Sequence, residues 1–114
     1  MPLPVPSAWD LRANGSEWDL VIQGVDSNGN ATGWIRWGLP GQTNISNASW
    51  SESAQALTFD LPFDDGVQHW TGFLFNAVGT PQDSYQFAMA GTSVDERFPP
   101  RVTFGWFALG WMSG

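Results

Sequence analysis

The chain has 114 residues, with eight Trp, eight Phe, thirteen Gly, eight Pro and no Cys, and eleven acids against four basic residues leave a formal charge of -7. One core closes at this length and a second does not, so residues 1–114 read as a single domain with enough large apolar area to fold without a disulfide or a metal. The negative charge repels phosphate backbones and anionic bilayers, which excludes nucleic acid and membrane as expected partners. The missing thiols exclude cysteine chemistry and thiolate metal sites.

A proline-rich lead over residues 1–7 comes first. It has no basic n-region, and no later stretch approaches a membrane span, so neither a signal peptide nor a transmembrane segment is expected. Strands are then predicted at 8–11 and 17–25, the second with Trp18, Leu20 and Ile22 on one face, followed by an Asn-Gly hairpin turn. A third strand is predicted at 31–37 and a polar fourth at 44–50, in which Ile45, Asn47 and Ser49 alternate with Ser46, Ala48 and Trp50. Residues 56–63 carry the cleanest alternation, Leu57, Phe59 and Leu61 against Thr58 and Asp60. Further strands are predicted at 67–75, 84–91 and 101–111, separated by loops over 76–83 and 92–100; another loop covers 38–43. Eight sequential antiparallel strands predict an all-β, eight-stranded up-and-down barrel, which removes exposed sheet edges. A β-sandwich is the alternative.

The order Trp9, Gly15, Ser16, Ile22, Val25, Ser27, Gly29, Thr32, Gly33, with "LTFDLPF…HWTGFLF" and the closing "RVTFGWFAL", resembles the avidin and streptavidin family of calycin-type barrels. That resemblance implies a closed barrel that binds a small molecule at one end, with Ser16 in the place of the family's ligand-binding serine. The family's first-strand asparagine falls at about Leu11, its third-strand tyrosine at about Ile35, and a last-strand polar residue near Phe107. A site that hydrogen-bonds a ureido group loses its affinity with those partners, so biotin binding is not expected.

His69 is the only histidine. Metal binding would need further ligands, and a triad would need a nucleophile; only Asp60, on the neighbouring strand, is placed to orient it. Neither a catalytic residue, a metal nor a cofactor is therefore expected. The acid pairs Asp64–Asp65 and Asp95–Glu96 read as solvated turn residues. Glycines at 33, 72 and 105 read as bends or as room for a facing tryptophan. Trp18 reads as core, and aromatics on both faces of several strands suggest a homo-oligomer.

The function expected is a non-enzymatic barrel binding a small apolar or heterocyclic ligand, with Ser16, Trp34, Trp50, His69, Trp70 and Trp106 as candidate binding residues. The alternative is a module recognising protein or glycan through exposed Trp and the long loops. A barrel isomerase or cyclase using His69 is the third reading.

Overall fold

The computed structural model describes residues 2–13, 15–37, 41–76, 85–97 and 100–112, the side chain of residue 76 excepted. Among them there is no helix. Nine strands occur: β1 (Ser7–Ala13), β2 (Ser16–Val25), β3 (Ala31–Arg36), β4 (Gln42–Asn44), β5 (Ser46–Ser51), β6 (Ala56–Phe63), β7 (Gly66–Asn76), β8 (Phe87–Asp95) and β9 (Val102–Met112). Every paired neighbour is antiparallel, in the order β4-β3-β2-β1-β9-β8-β7-β6-β5. The sheet curls so that its two edge strands belong to one continuous stretch of chain. A bridge between Asn30 and Ser49, and backbone bonds from Ile45 N–H to Gly33 and from Trp50 N–H to Gly29, join β3 to that stretch. The result is a nearly closed up-and-down barrel.

The expected fourth strand is thus two strands, β4 and β5, broken at Ile45. Asn47 takes a left-handed conformation (φ 49°) and the β5–β6 register slips beside it. Asn tolerates that region better than most residues, and the extra residue reverses the phase of the strand. Ile45 therefore points inward with Ala48 and Trp50, and not with Asn47 and Ser49 as strict alternation predicts. At the other disputed segment, β8 runs to Asp95, so residues 92–95 are strand where a loop was expected; Tyr85 and Gln86 precede it. Residues 77–83 and 38–40 of the other expected loops lie outside the described residues.

The interior is filled. Trp9, Leu11, Leu20, Ile22, Ile35, Leu57, Phe59, Leu61, Trp70, Met89 and Trp106 are buried in one apolar cluster. Trp70 lies among four rings: stacked on Phe59 at 5.6 Å, and meeting Trp106 at 5.4 Å, Phe104 at 5.6 Å and Trp18 at 5.8 Å. Gly72 is what admits Trp106, since a β-carbon there would collide with the indole, and Gly110 does the same for Trp9. Gly105 has no such role, because a β-carbon there would meet only the Gly91 carbonyl oxygen, at 3.9 Å.

The two ends differ. At the base, where β1 begins and β2 and β5 end, Leu3 and Pro4 of the lead are buried, and Leu3 joins the cluster containing Trp9 and Trp50. The lead is a plug for the barrel. At the opposite rim, formed by Trp37, Phe63, Asp95 and the start of β9, the wall is left with open clefts.

Candidate functional site

Strand alternation decides the fate of the "HWTGFLF" segment. Within β7, Gln68, Trp70 and Gly72 point inward and His69, Phe73 and Phe75 outward. The two sides of the wall then build two separate polar networks from adjacent residues.

On the inside, Trp70 Nε1 donates to Gln68 Oε1 at 3.0 Å, and Gln68 Nε2 donates to Asp95 Oδ2 at 2.8 Å. Asp95 also accepts from Arg97: Nη2 at 2.8 Å, Nε at 3.0 Å and the backbone N–H at 3.0 Å. These bonds from Arg97 outweigh the burial of Asp95 and lower its pKa from 3.8 to about 2. Asp95 is therefore a buried, fully engaged carboxylate, not a solvated turn acid; Asp64, Asp65 and Glu96 are exposed turn residues as expected. The Arg97 guanidinium lies 4.1 Å over the Phe63 ring, an arrangement that the ring quadrupole favours.

On the outside, His69 Nδ1 is 2.6 Å from Asp60 Oδ1, and His69 Nε2 is 2.9 Å from Glu96 Oε2. Asp60 stands directly opposite His69 in the β6–β7 register, as the sequence suggested. Glu96 also meets Arg101 Nε at 3.3 Å, and Asp60 accepts from Asn47 Nδ2 at 2.9 Å. A carboxylate on each ring nitrogen favours the protonated imidazole, so the bonds to Asp60 and then to Glu96 raise the His69 pKa above 6.5. Both ring nitrogens are thus hydrogen-bonded to carboxylates.

The six candidate binding residues do not share one site. Ser16 and Trp106 line one depression on the outer wall near Gly105 and Phe107, while Trp50 lies by the base with its indole N–H on Glu52 at 2.8 Å. Trp34 faces outward beneath Arg36, whose guanidinium is 5.4 Å above its ring. His69 is on the outer wall and Trp70 is core. Of the positions aligned with the avidin family's polar residues, Leu11 and Ile35 are fully buried packing and Phe107 points outward, half exposed.

What does converge is the rim. Trp18, Trp37, Phe63, Val102 and Phe104 surround a cleft of about 470 Å³ whose polar wall is Gln68, Asp95 and Arg97. Trp37 stretches across it, 5.7 Å from Trp18 and 5.8 Å from Phe63. Trp37 and Phe63 were not singled out from sequence, because a ring at a strand end carries no periodic signal of its own. The inward tryptophans Trp9, Trp50, Trp70 and Trp106 each hold an acceptor for their N–H, yet Trp18 Nε1 has none among the described residues. No grouping of three or more metal-ligating side chains exists among the described residues, and none of their helices could cross a membrane, there being none.

No family model, no curated protein and no solved structure matches the chain.

Proposed function

We propose that the protein is a non-enzymatic binding barrel that receives a small, ring-containing ligand in the rim cleft. The observation that carries this reading is the convergence of Trp18, Trp37, Phe63 and Phe104 on one open cleft whose polar wall is already hydrogen-bonded. Such a wall is preorganised, so a ligand pays little to order it. The volume lies within the usual range of small-ligand sites, about 300–1,000 Å³. The motif order that resembles the avidin and streptavidin family supports a binding rather than a catalytic role, and the apolar Leu11 and Ile35 argue against biotin. Because the barrel interior is filled, the ligand sits at the end and not along the axis.

Titration with neutral two- and three-ring heterocycles, read by tryptophan fluorescence, tests the reading. Saturable quenching is expected, weakened by about tenfold or more in Phe63→Leu or Phe104→Leu through lost ring contact. Absence of saturable quenching by every compound would sink it.

A second reading, self-association, is favoured by the outer face of β7, β8 and β9. There Phe73, Ala90 and Phe107 share one cross-strand row and Phe75, Ala88 and Leu109 another, and although Ala88 is already covered, the phenylalanines form an apolar face that a second copy would cover. Phe73, Phe75 and Phe107 are each about half exposed. Sedimentation over a wide concentration range distinguishes the cases: a monomer at every concentration excludes it.

A further inference from the structure

We infer that the chain carries a second binding site, a groove for neutral carbohydrate on the outer wall of the β1–β2 hairpin. The groove, of about 560 Å³, lies on the other side of Trp37 from the rim cleft and is lined by Asp10, Arg12, Glu17, Asp19, Arg36 and the Trp18–Trp37 pair. It shares the Trp18–Trp37 pair with the rim cleft, but its charged lining is separate from that cleft's.

The polar lining follows from register. Asp10 faces Asp19 and Arg12 faces Glu17 across the hairpin, and Asp19 faces Arg36 across the next ladder. Each charge is already engaged: Arg12 Nη2 lies 3.5 Å from Glu17, Arg36 Nη2 donates to Asp19 Oδ2 at 3.1 Å, and Asp10 accepts the Tyr85 hydroxyl. Trp34 supports Arg36 from below. The heads are therefore held in place while remaining partly open to solvent, with side-chain exposures of 40% for Arg36 and 51% for Asp19.

This lining discriminates among ligand classes. Three carboxylates against two guanidiniums disfavour phosphates, sulfates and uronic acids. A polycation gains little, because the carboxylates already hold partners and surface ion pairs are weak. What remains well served is an uncharged ligand with many hydroxyls, each able to donate to a carboxylate and accept from a guanidinium through charge-assisted bonds. The exposed indole of Trp37 (40% exposed) adds the second requirement. The C–H face of a pyranose ring is apolar and slightly positive, and it meets the negative face of an indole favourably.

Isothermal titration of the whole chain with neutral oligosaccharides of glucose, xylose, mannose and N-acetylglucosamine tests the inference. At least one series should bind saturably, with an affinity that changes little between low and high NaCl. Asp19→Asn and Arg36→Gln should each weaken binding by about tenfold or more, the scale of a lost hydrogen bond to a charged group. Both keep the wild-type melting temperature, since the pair is exposed. Phe104→Leu, which lies in the rim cleft and outside the groove lining, should bind sugar as the wild type does, so the two sites fail or survive separately. No saturable binding by any series, undiminished binding in both groove variants, or binding confined to a basic peptide with steep salt dependence would overturn the proposal.

Discussion

Two hydrogen-bonded networks share β7 and the end of β8, one on each side of the barrel wall, and they answer to different physics. Inside, Trp70, Gln68, Asp95 and Arg97 run from the core to the rim; outside, Asp60, His69, Glu96 and Arg101 run across the surface. Gln68 and His69 are sequence neighbours, as are Asp95 and Glu96. The same step of one residue that moves a side chain across the wall changes its solvent, and with it what a broken bond costs. Inside, a removed partner strands a group away from water. Outside, water takes the partner's place.

That contrast can be broken most forcefully at Trp70. Trp70→Ala removes a ring packed on every side and should cost about 3–5 kcal/mol, read from chemical denaturation. A loss near zero would mean that the barrel interior relaxes to fill the space. Asp95→Ala should cost about 3 kcal/mol, because it leaves the Arg97 charge and the Gln68 amide without their acceptor in a largely buried setting.

The pH dependence separates the networks without mutation. Asp95 has its folded pKa depressed to about 2, so its contribution is present above the ordinary value of 3.8 and is lost as pH falls through about 2. The size is about 2 kcal/mol by linkage. His69 runs the other way. Its folded pKa is raised, so its contribution is complete below 6.5 and is lost as pH rises through the folded value. Thermal melts across pH should show a loss on the acid side that is reduced but not abolished in Asp95→Asn, because Asp26, Glu52 and Asp60 also have lowered pKa values, and a shallow decline on the alkaline side. The smallest effect is expected for His69→Gln: less than about 1 kcal/mol, since the pair is exposed and screened, with the alkaline decline abolished. An alkaline slope that survives His69→Gln would assign it to another group.

Much of the barrel was legible in the chain because burial on one side of a strand writes itself as alternation. Leu57, Phe59 and Leu61 pointed inward as their spacing required, and a two-residue turn at Asp64–Asp65 was enough to bring Asp60 beside His69. The bulge at Asn47 was not legible. It obeys no periodicity, and only a left-handed backbone at an Asn marks it. The end of β8 was misread for a related reason: Thr92, Ser93 and Asp95 look like loop residues, yet Ser93 and Asp95 are buried strand residues. The polar partners that make this tolerable for Asp95, Gln68 and Arg97, come from another strand and from beyond the turn, where pattern reading does not reach. The candidate site suffered most. Ser16, Trp34, Trp50, His69, Trp70 and Trp106 were chosen for chemistry, but a shared site needs a shared face and a shared height along the tilted strands. The rim residues Trp37 and Phe63 meet both conditions through the curl of the sheet, which no local pattern encodes.

The pairing of Ser7 with Met112 has a practical bearing. Both extremities of the described chain emerge at the plugged base, at the far end of the barrel from Trp37. A bead, a dye or a neighbouring domain attached there would stand behind the molecule, leaving the rim cleft and the sugar groove facing outward. Titrations of the two proposed sites on immobilised protein can therefore use either attachment.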